Sequence, residues 1–303
     1  MTTLPDFLTA KRTVEDRALN RVVFQEFADG ITRRTADREA DEPLRIVEIG
    51  VGTGSMIARL AEWEVLPPQV SYRAVDLDAE TLAVARRQLP NQLAAAGYRV
   101  EPTDAGLVAR KTTDGQDRRL EITLAVEDGF ESTDEADAVI AGAVLDLVEL
   151  PAALANIKRV LTDDGLLYAP ATFNGHTSFT PRDPLDSRIE GLYHRHMDEV
   201  RDQPGSSRAG QQLLAALPDA GYRVLEAGGA DWVVRPADSG YPYDERVVLD
   251  FLLSTIDGAL ADYPSEEINP EKRTRWIDTR REQLDRGELT LVAHHMDVLA
   301  KLS

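Results

Sequence analysis

The chain has 303 residues, of which 53 are acidic and 34 are basic, so its formal net charge is −19. A surface this acidic repels a phosphate backbone, which excludes nucleic acid as a partner. The absence of cysteine excludes disulfides, zinc–thiolate sites and cysteine nucleophiles. No apolar run reaches the roughly 20 residues of a membrane span, and no apolar segment follows a basic start, so we expect a cytoplasmic protein without a membrane span.

Lysine is rare among the basic residues, because only five are Lys and the rest are Arg. An acidic, lysine-poor surface suits a protein that stays soluble in concentrated salt, where screening removes most self-repulsion. The composition therefore predicts a halophilic, archaeal host. The alternative is an ordinary acidic cytoplasmic protein.

Residues 1–42 form a polar segment in which apolar side chains from Val22 to Ile31 predict an amphipathic helix packed on the body. From residue 43 onward, short apolar runs alternate with helical stretches, and 100–118 predicts a ribbon or loop insertion. This alternation predicts an α/β fold with a mostly parallel sheet. The predicted strands are 44–49, 70–75, 120–126, 136–141, 166–172, 222–226 and 289–299, and the predicted helices are 55–63, 79–96, 151–161 and 211–220.

A glycine-rich turn follows the first predicted strand, in the run Val47-Glu48-Ile49-Gly50-Val51-Gly52-Thr53-Gly54. Glycine has no Cβ, so the chain can turn tightly there and a ligand can lie against its backbone. The helix that follows adds free N–H groups. The pattern predicts a site for a nucleotide or nucleoside cofactor, and the alternative is a purely structural turn.

Asp76 closes the second predicted strand at the same edge of the sheet. A carboxylate there can accept hydrogen bonds from both hydroxyls of a ribose, and Leu77 can lie against a flat adenine ring. The glycine spacing differs from the Gly-x-Gly-x-x-Gly of nicotinamide dehydrogenases, because the third glycine stands two residues after the second. The turn and Asp76 together predict an adenosine site.

The run from Glu48 to Gly54 resembles the first motif of class I S-adenosylmethionine-dependent methyltransferases, an acid followed by Gly-x-Gly-x-Gly. Asp76 matches the acid that these enzymes place on the cofactor ribose, and Glu127-Asp128-Gly129 resembles the position that contacts the adenine amino group. The resemblance implies S-adenosyl-L-methionine as the cofactor. It also implies a Rossmann-like sheet of seven strands flanked by helices, with the last strand antiparallel. The implied cofactor-binding residues are Glu48, Gly50, Gly52, Thr53, Gly54, Asp76, Leu77, Asp128, Gly129 and Ala143.

The sequence departs from one branch of this family after the fourth predicted strand. Ala143-Val144-Leu145-Asp146-Leu147 stands where enzymes that methylate amide or nucleobase nitrogens carry Asn/Asp-Pro-Pro-Tyr. A small-molecule acceptor is therefore favoured over those nitrogens. Asp146 is a candidate acceptor-binding residue, and its alternative role is that of a solvated helix-capping acid.

Two segments interrupt the alternation, at about 174–208 and 236–287. In open α/β sheets, ligands bind beyond the carboxyl ends of the strands, and in a fold of the implied family both segments start and end at that edge. We therefore expect one domain over 43–303 with two lid insertions, and with 1–42 packed on it. The second lid carries an apolar stretch, 247–256, that predicts helix packing, an apolar acceptor pocket or a homodimer contact.

Three of the five histidines lie in the first lid. Neutral imidazole is suited to proton removal near neutral pH, so His196 and His194 are candidate general bases. They stand two residues apart on a predicted helix, so only one of them can face the acceptor. Asn174 and His176 are candidate acceptor-binding residues. The alternative for each histidine is a surface or capping role, and the spacing indicates no metal site.

The last predicted strand also carries polar residues. Strand alternation places His295 and Asp297 on one face. Polar groups in a buried strand need partners, so we predict a structural hydrogen-bonded pair.

Three functions are compatible with these residues. The first is methyl transfer to a small-molecule acceptor. The second is aminopropyl transfer, or another transfer from a related nucleoside, although the paired acids expected after the fourth strand are not evident. The third is cofactor binding without catalysis.

Overall fold

The computed structural model describes residues 2–36, 38–39, 42–113, 115–202 and 205–303. Within these residues, ten strands form one sheet. They are β1 (Leu44–Ile49), β2 (Gln69–Asp76), β3 (Arg99–Pro102), β4 (Gly106–Thr113), β5 (Gln116–Val126), β6 (Ala136–Ala141), β7 (Leu161–Thr180), β8 (Tyr222–Gly229), β9 (Trp232–Val234) and β10 (Thr290–Leu302).

The strand order is β3-β4-β5-β2-β1-β6-β7-β10-β8, and β9 pairs with β10. The centre of the sheet, from β5 to β7, is parallel. β10 runs antiparallel to both β7 and β8. The expected α/β fold, with a mostly parallel sheet and an antiparallel last strand, is confirmed. The sheet exceeds the expected seven strands, because the β3–β4 ribbon extends one edge and β9 adds to β10.

Helices pack on both faces of the sheet. On one face, α3, α4 and α5 bury Phe27, Ile57 and Leu82, and on the other α6 and α8 bury Leu154 and Leu213. None of the helices in the described ranges is long and apolar enough to cross a membrane. The helices are α1 (Leu4–Ala10), α2 (Arg12–Ala18), α3 (Arg21–Arg33), α4 (Ser55–Glu62), α5 (Ala79–Ala95), α6 (Leu150–Val160), α7 (Asp186–Arg195), α8 (Ala209–Asp219), α9 (Glu245–Ala261) and α10 (Pro270–Asp285).

The amphipathic helix expected in the N-terminal segment is α3. Asn20 caps it by accepting hydrogen bonds from the N–H groups of Val22 and Val23, and Phe27 and Ile31 are fully buried against the sheet. Two shorter helices, α1 and α2, precede it. They pack in a separate apolar cluster with α7, α9, α10 and the far ends of β7 and β10. The N-terminal helices therefore share one edge of the sheet with the helices of both interrupting segments.

The fifth parallel strand is much longer than the sequence predicts. β7 has 20 residues, against seven expected, because β10 pairs with it from Leu166 as far as Thr180. The segment expected to be irregular from residue 174 therefore begins as strand. It continues as α7 and one turn of π-helix at His196–Val200.

Candidate functional site

The glycine-rich turn joins β1 to α4 through three glycines with left-handed backbone. Gly50, Gly52 and Gly54 have φ values of +70°, +57° and +84°, where any other side chain would be strained. A Cβ on Gly50 would also approach Cγ2 of Val144 to 3.2 Å. Gly54 precedes α4 and makes no side-chain cap, so the first N–H groups of this helix are left available to a ligand.

Asp76, at the end of β2, lies directly against this turn. Its Oδ2 accepts a hydrogen bond from the N–H of Gly52 at 2.8 Å, and its Oδ1 accepts one from the N–H of Asp78 at 3.0 Å. Each carboxylate oxygen retains a lone pair for a ligand. The next side chain, Leu77, is 74% exposed. The two features that the sequence linked to adenosine are therefore adjacent in space.

The end of β5 completes this edge of the sheet. A Cβ on Gly129 would come within 2.6 Å of Val75 and 2.9 Å of Ile49, so only glycine lets this loop pack against the ends of β1 and β2. Asp128 caps the short helical turn that follows, by accepting the N–H of Phe130 at 2.9 Å. Its carboxylate stands on the same edge as Asp76.

Glu48, at the end of β1, and Thr53, within the turn, are almost fully buried. The Oε2 of Glu48 accepts a hydrogen bond from the hydroxyl of Tyr72 at 2.7 Å. Burial raises the pKa of Glu48 to about 8, because a charged carboxylate loses its hydration in this place. Glu48 is therefore mostly protonated at pH 7 in the ligand-free protein.

A cleft lies over the turn, and we call it the glycine cleft. Its floor includes the glycine turn and Glu48, and its roof is formed by Leu8, Lys11, Glu15 and Leu19 of the N-terminal segment. Lys11 and Glu15 form an ion pair at 2.9 Å. The sequence predicted that 1–42 packs on the body, but not that it covers the turn.

Residues 47–167 match the sequence model of a family described as a methyltransferase domain. The matched stretch contains the glycine turn, Asp76 and the end of β5. The chain is also 27% identical, over 228 residues, to the malonyl-[acyl-carrier protein] O-methyltransferase of Geobacter sulfurreducens, covering 74% of this chain and 68% of that protein. This protein is an S-adenosylmethionine-dependent methyltransferase.

Solved structures with a similar fold include two methyltransferases bound to S-adenosyl-L-homocysteine. One, from Geobacter sulfurreducens, is 12% identical to this methyltransferase, with a TM-score of 0.47 and full coverage of both chains. The other, from Thiobacillus denitrificans, is 13% identical, with a TM-score of 0.44 and 92% of each chain covered.

A second, apolar cavity adjoins the glycine cleft of the methyltransferase. Leu8, Lys11 and Ala171 line both spaces, so the two are direct neighbours. Apolar side chains from segments far apart in the chain form most of its wall. Among them are Phe7, Phe173, Met197, Trp232, Leu252 and Ile256.

Two alanines with left-handed backbone flank this cavity. Ala143 has a φ of +53° and Ala171 a φ of +55°. The N–H of Ala143 donates to the carbonyl of Pro170 at 3.0 Å, and the N–H of Ala171 donates to Asp297 at 2.8 Å. Non-glycine residues rarely adopt this conformation unless their surroundings hold them in it, which is common at functional sites.

Asp146 lies in the wall of the apolar cavity, where the sequence placed a candidate acceptor-binding residue. Its Oδ1 is buried and has no hydrogen-bond partner among the residues that the structure describes. Burial raises the pKa of Asp146, and burial together with the Asp146 charge raises the pKa of the neighbouring Tyr193 to about 12. A buried oxygen without a partner is rare in folded proteins, so this atom is suited to a ligand.

His295 also lines the apolar cavity, and the sequence assigned it only a structural role. Its ring stacks on Trp232, with centroids 4.5 Å apart, and meets the edge of Phe173 at 5.4 Å. Its Nδ1 is 3.1 Å from the carbonyl of Ala293, which assigns the proton to Nδ1 and leaves Nε2 as an acceptor. Burial lowers the pKa of His295 to about 4, so the ring is neutral at pH 7.

The predicted pairing of His295 with Asp297 is wrong. Both side chains do lie on the buried face of β10, but the carboxylate of Asp297 accepts the N–H groups of Asn20 and Ala171 instead, each at 2.8 Å. Residues two apart in a strand are separated by about 6.6 Å, and nearer backbone donors satisfy Asp297 first. This contact attaches the N-terminal segment to the backbone beside the cavity.

His194 and His196, the two candidate bases, lie outside the set of residues that line the apolar cavity. The Nε2 of His194 is 3.3 Å from the hydroxyl of Thr177, and its ring meets the edge of Phe173 at 5.5 Å. His196 pairs with Asp262 at 2.8 Å. Both rings lie in the first lid, where they contact other side chains of the protein.

Asn174 and His176 make local contacts as well. The Oδ1 of Asn174 accepts the N–H of Gln211 at 2.8 Å, in the first turn of α8. His176 is half-exposed, and its Nδ1 lies 2.9 Å from Glu190. Neither residue is among those that line the apolar cavity.

Proposed function

We propose that this methyltransferase transfers a methyl group to an apolar small molecule bound in the apolar cavity. The observation that carries the proposal is the shared wall of Leu8, Lys11 and Ala171, which places the apolar cavity directly beside the glycine cleft. Concave, mostly apolar spaces with a few polar groups are typical of small-molecule sites.

The residues at the glycine cleft fit S-adenosylmethionine. The turn offers backbone that no Cβ obstructs at Gly50, Gly52 and Gly54. Asp76 has lone pairs for the ribose hydroxyls, and the exposed Leu77 supplies an apolar surface for adenine. Asp128 stands at the same edge for the adenine amino group. Glu48 and Thr53 line the cleft, Ala143 lines the neighbouring cavity, and Gly129 packs against the ends of β1 and β2.

When bound, the cofactor supplies an electrophilic methyl group carried by a sulfonium. The chain itself then has to align the acceptor in line with that methyl group and exclude water. Leu8 and Lys11 cover the junction of the two spaces from the N-terminal side, and Ala171 limits it from the sheet. A dedicated acid or base is needed only where the acceptor carries a proton that must leave.

On the acceptor side, we propose that Asp146 accepts a hydrogen bond from a polar group of the acceptor, because its buried Oδ1 lacks a partner within the described ranges. His194, His196, Asn174 and His176 lie at local contacts, and the cavity gives no support for acceptor contacts by them. The relative from Geobacter sulfurreducens is named for O-methylation of a malonyl group. The apolar wall here favours a less polar acceptor.

We further infer one domain over 43–303, in a cytoplasmic protein of a halophilic, archaeal host. The charge of −19 with five lysines supports the salt-adapted host. In the apolar stretch 247–256, Val248, Leu249 and Leu253 are fully buried within the chain, and Leu252 and Ile256 line the cavity. These positions support a packing and pocket role for α9 more than a homodimer contact.

Binding and transfer are tested separately. Calorimetry with S-adenosyl-L-homocysteine should show one site per chain. S-adenosylmethionine with a labelled methyl group should then label apolar acceptors more efficiently than polar ones of equal size, in molar potassium chloride. Binding without transfer to any apolar acceptor would contradict the proposed acceptor class, and absence of binding would contradict the cofactor site.

A further inference from the structure

We propose that His295 accepts the proton of a hydroxyl group on the acceptor, so that the acceptor is an apolar phenol or alcohol and the product is a methyl ether. This inference rests on the proposed function and adds the nucleophile to it. The groups that carry it are the imidazole of His295, the indole of Trp232 and the ammonium of Lys11, which meet at the apolar cavity.

The position of the imidazole is fixed by its neighbours. Trp232 covers one face of the ring and Phe173 meets it edge-on. Nδ1 is occupied by the carbonyl of Ala293. Nε2 is then the other hydrogen-bonding atom of the side chain. It is not one of the fully buried polar atoms that lack a partner within the described residues, so it remains accessible. His295 therefore presents an acceptor lone pair to a ligand in the cavity, which lacks a comparable neutral base elsewhere in its described wall.

The charge at the cavity selects among acceptors with a labile proton. The Nζ of Lys11 lies 5.6 Å from the centroid of the Trp232 ring, and that ring stacks directly on His295. A positive charge there disfavours an alkylammonium acceptor and favours an oxygen that becomes more negative as its proton leaves. Glu15 pairs with Lys11 and moderates its charge, but it approaches from the glycine cleft rather than from the apolar cavity.

The reaction balances with these groups alone. The acceptor oxygen forms a bond to the transferred carbon, and the electron pair of the broken carbon–sulfur bond stays on sulfur. The hydroxyl proton passes to Nε2 of His295, which returns it to water when the product leaves. A carboxylate acceptor would need no such base, because it is already deprotonated. His295 thus distinguishes a hydroxyl acceptor from a carboxylate acceptor.

Two probes with the same ring test this distinction, 1-naphthol and 1-naphthoic acid. Calorimetry measures their binding to the complex with S-adenosyl-L-homocysteine, and mass spectrometry measures the methyl ether or the methyl ester formed with S-adenosylmethionine. We expect 1-naphthol to bind and to become the ether, with little ester from the acid. The variant that tests the role of the imidazole is His295→Phe, which keeps an aromatic ring stacked on Trp232 but removes the lone pair of Nε2.

His295→Phe should lower the turnover of 1-naphthol by about 100-fold and weaken its binding several-fold, while the affinity for S-adenosyl-L-homocysteine stays within twofold. His295→Gln should recover part of the binding but not the turnover, because its amide oxygen accepts a hydrogen bond and is a far weaker base. The matched control is His294→Phe, since His294 lies on the opposite side of β10 and contacts Asp231. It should behave as the wild type.

A nitrogen-15 NMR spectrum provides a readout that does not depend on turnover. The imidazole signals that disappear in His295→Phe are assigned to His295. This ring should be neutral at pH 7 with its proton on Nδ1, and its Nε2 resonance should shift when 1-naphthol is added. The proposal is overturned if the methyl ether of 1-naphthol forms as fast in His295→Phe as in the wild type. It is also overturned if neither probe binds a complex that retains the cofactor product. If the wild type does not bind S-adenosyl-L-homocysteine, the proposed function is refuted instead.

Discussion

The candidate cofactor groups lie at the ends of three neighbouring strands, whereas the apolar cavity takes its walls from segments between residues 4 and 295. Each of these groups lies within a few residues of a strand end, as Gly52, Asp76 and Asp128 do. In the cavity, Phe7 and Trp232 belong to the same wall although more than 200 residues separate them. The backbone determines the geometry of these strand ends, and the packing of side chains determines the shape of the cavity.

This difference has a functional meaning. A cofactor shared by many enzymes can be held by N–H groups and one carboxylate, which depend little on the surrounding side chains. An acceptor is recognised by shape and by a few polar groups in an apolar wall. The two sites should therefore respond to different substitutions, although Leu8, Lys11 and Ala171 line both.

The largest expected effect is in the cleft. Asp76→Ala removes two acceptors for ribose and also the bond that holds the N–H of Gly52. Hydrogen bonds to a charged group contribute about 1.5–3 kcal/mol each, so affinity for S-adenosyl-L-homocysteine should fall by about 100-fold or more. Calorimetry measures this, and circular dichroism checks the fold. Asp104→Ala, an exposed acid in the β3–β4 turn, is the matched control. Equal affinities in the two variants would refute an adenosine site at Asp76.

The next effect belongs to the cavity alone. Leu252→Asp places a carboxylate in the apolar wall, and burying a charge without a partner is costly. The affinity for 1-naphthol should fall by about tenfold or more, while that for S-adenosyl-L-homocysteine stays within twofold. Ser254→Asp, exposed on the same helix, controls for the added charge. If Leu252→Asp weakened both ligands equally, the two sites would not be separable as argued.

The same contrast explains which features of the site the sequence could predict. The turn, Asp76 and Asp128 could be predicted because each lies at a predicted strand end, and parallel strands bring such ends to one edge. The short contact from Asp76 to Gly52 agrees with that expectation. β7 was underestimated because its last residues are strand only through pairing with β10, about 110 residues later in the chain.

The roof and the cavity could not be predicted, because no local pattern records which distant segments meet. Lys11 lies in a polar stretch, and the segment that carries it is attached to the sheet by contacts distant in sequence, such as that of Asn20 with Asp297. Alternation did place His295 on the buried face, but it could not show that the ring faces a cavity rather than a partner. A histidine that lines a cavity beside a tryptophan is visible only after folding.

The smallest effect concerns Glu48, where the polar cleft and the buried interior meet. Its pKa of about 8 means that the ligand-free protein carries this proton at pH 7. A nearby cation favours the carboxylate, so binding of S-adenosylmethionine should release a proton. As the pH rises from 6 to 8, the free-energy cost of removing that proton falls. The affinity for S-adenosylmethionine should therefore increase by about tenfold and become constant above pH 8.

Calorimetry in phosphate and in Tris, whose ionisation enthalpies differ, counts the released proton directly. S-adenosyl-L-homocysteine lacks the sulfonium charge, so its affinity should vary less with pH. Glu48→Gln keeps an acceptor for the Tyr72 hydroxyl but cannot ionise, and its affinity should not change over this range. Proton uptake by the wild type, or the same pH profile in the variant, would show that Glu48 does not respond to the cofactor. The acid of the first motif would then be a buried support for β1 and β2, and recognition would be left to the turn and Asp76.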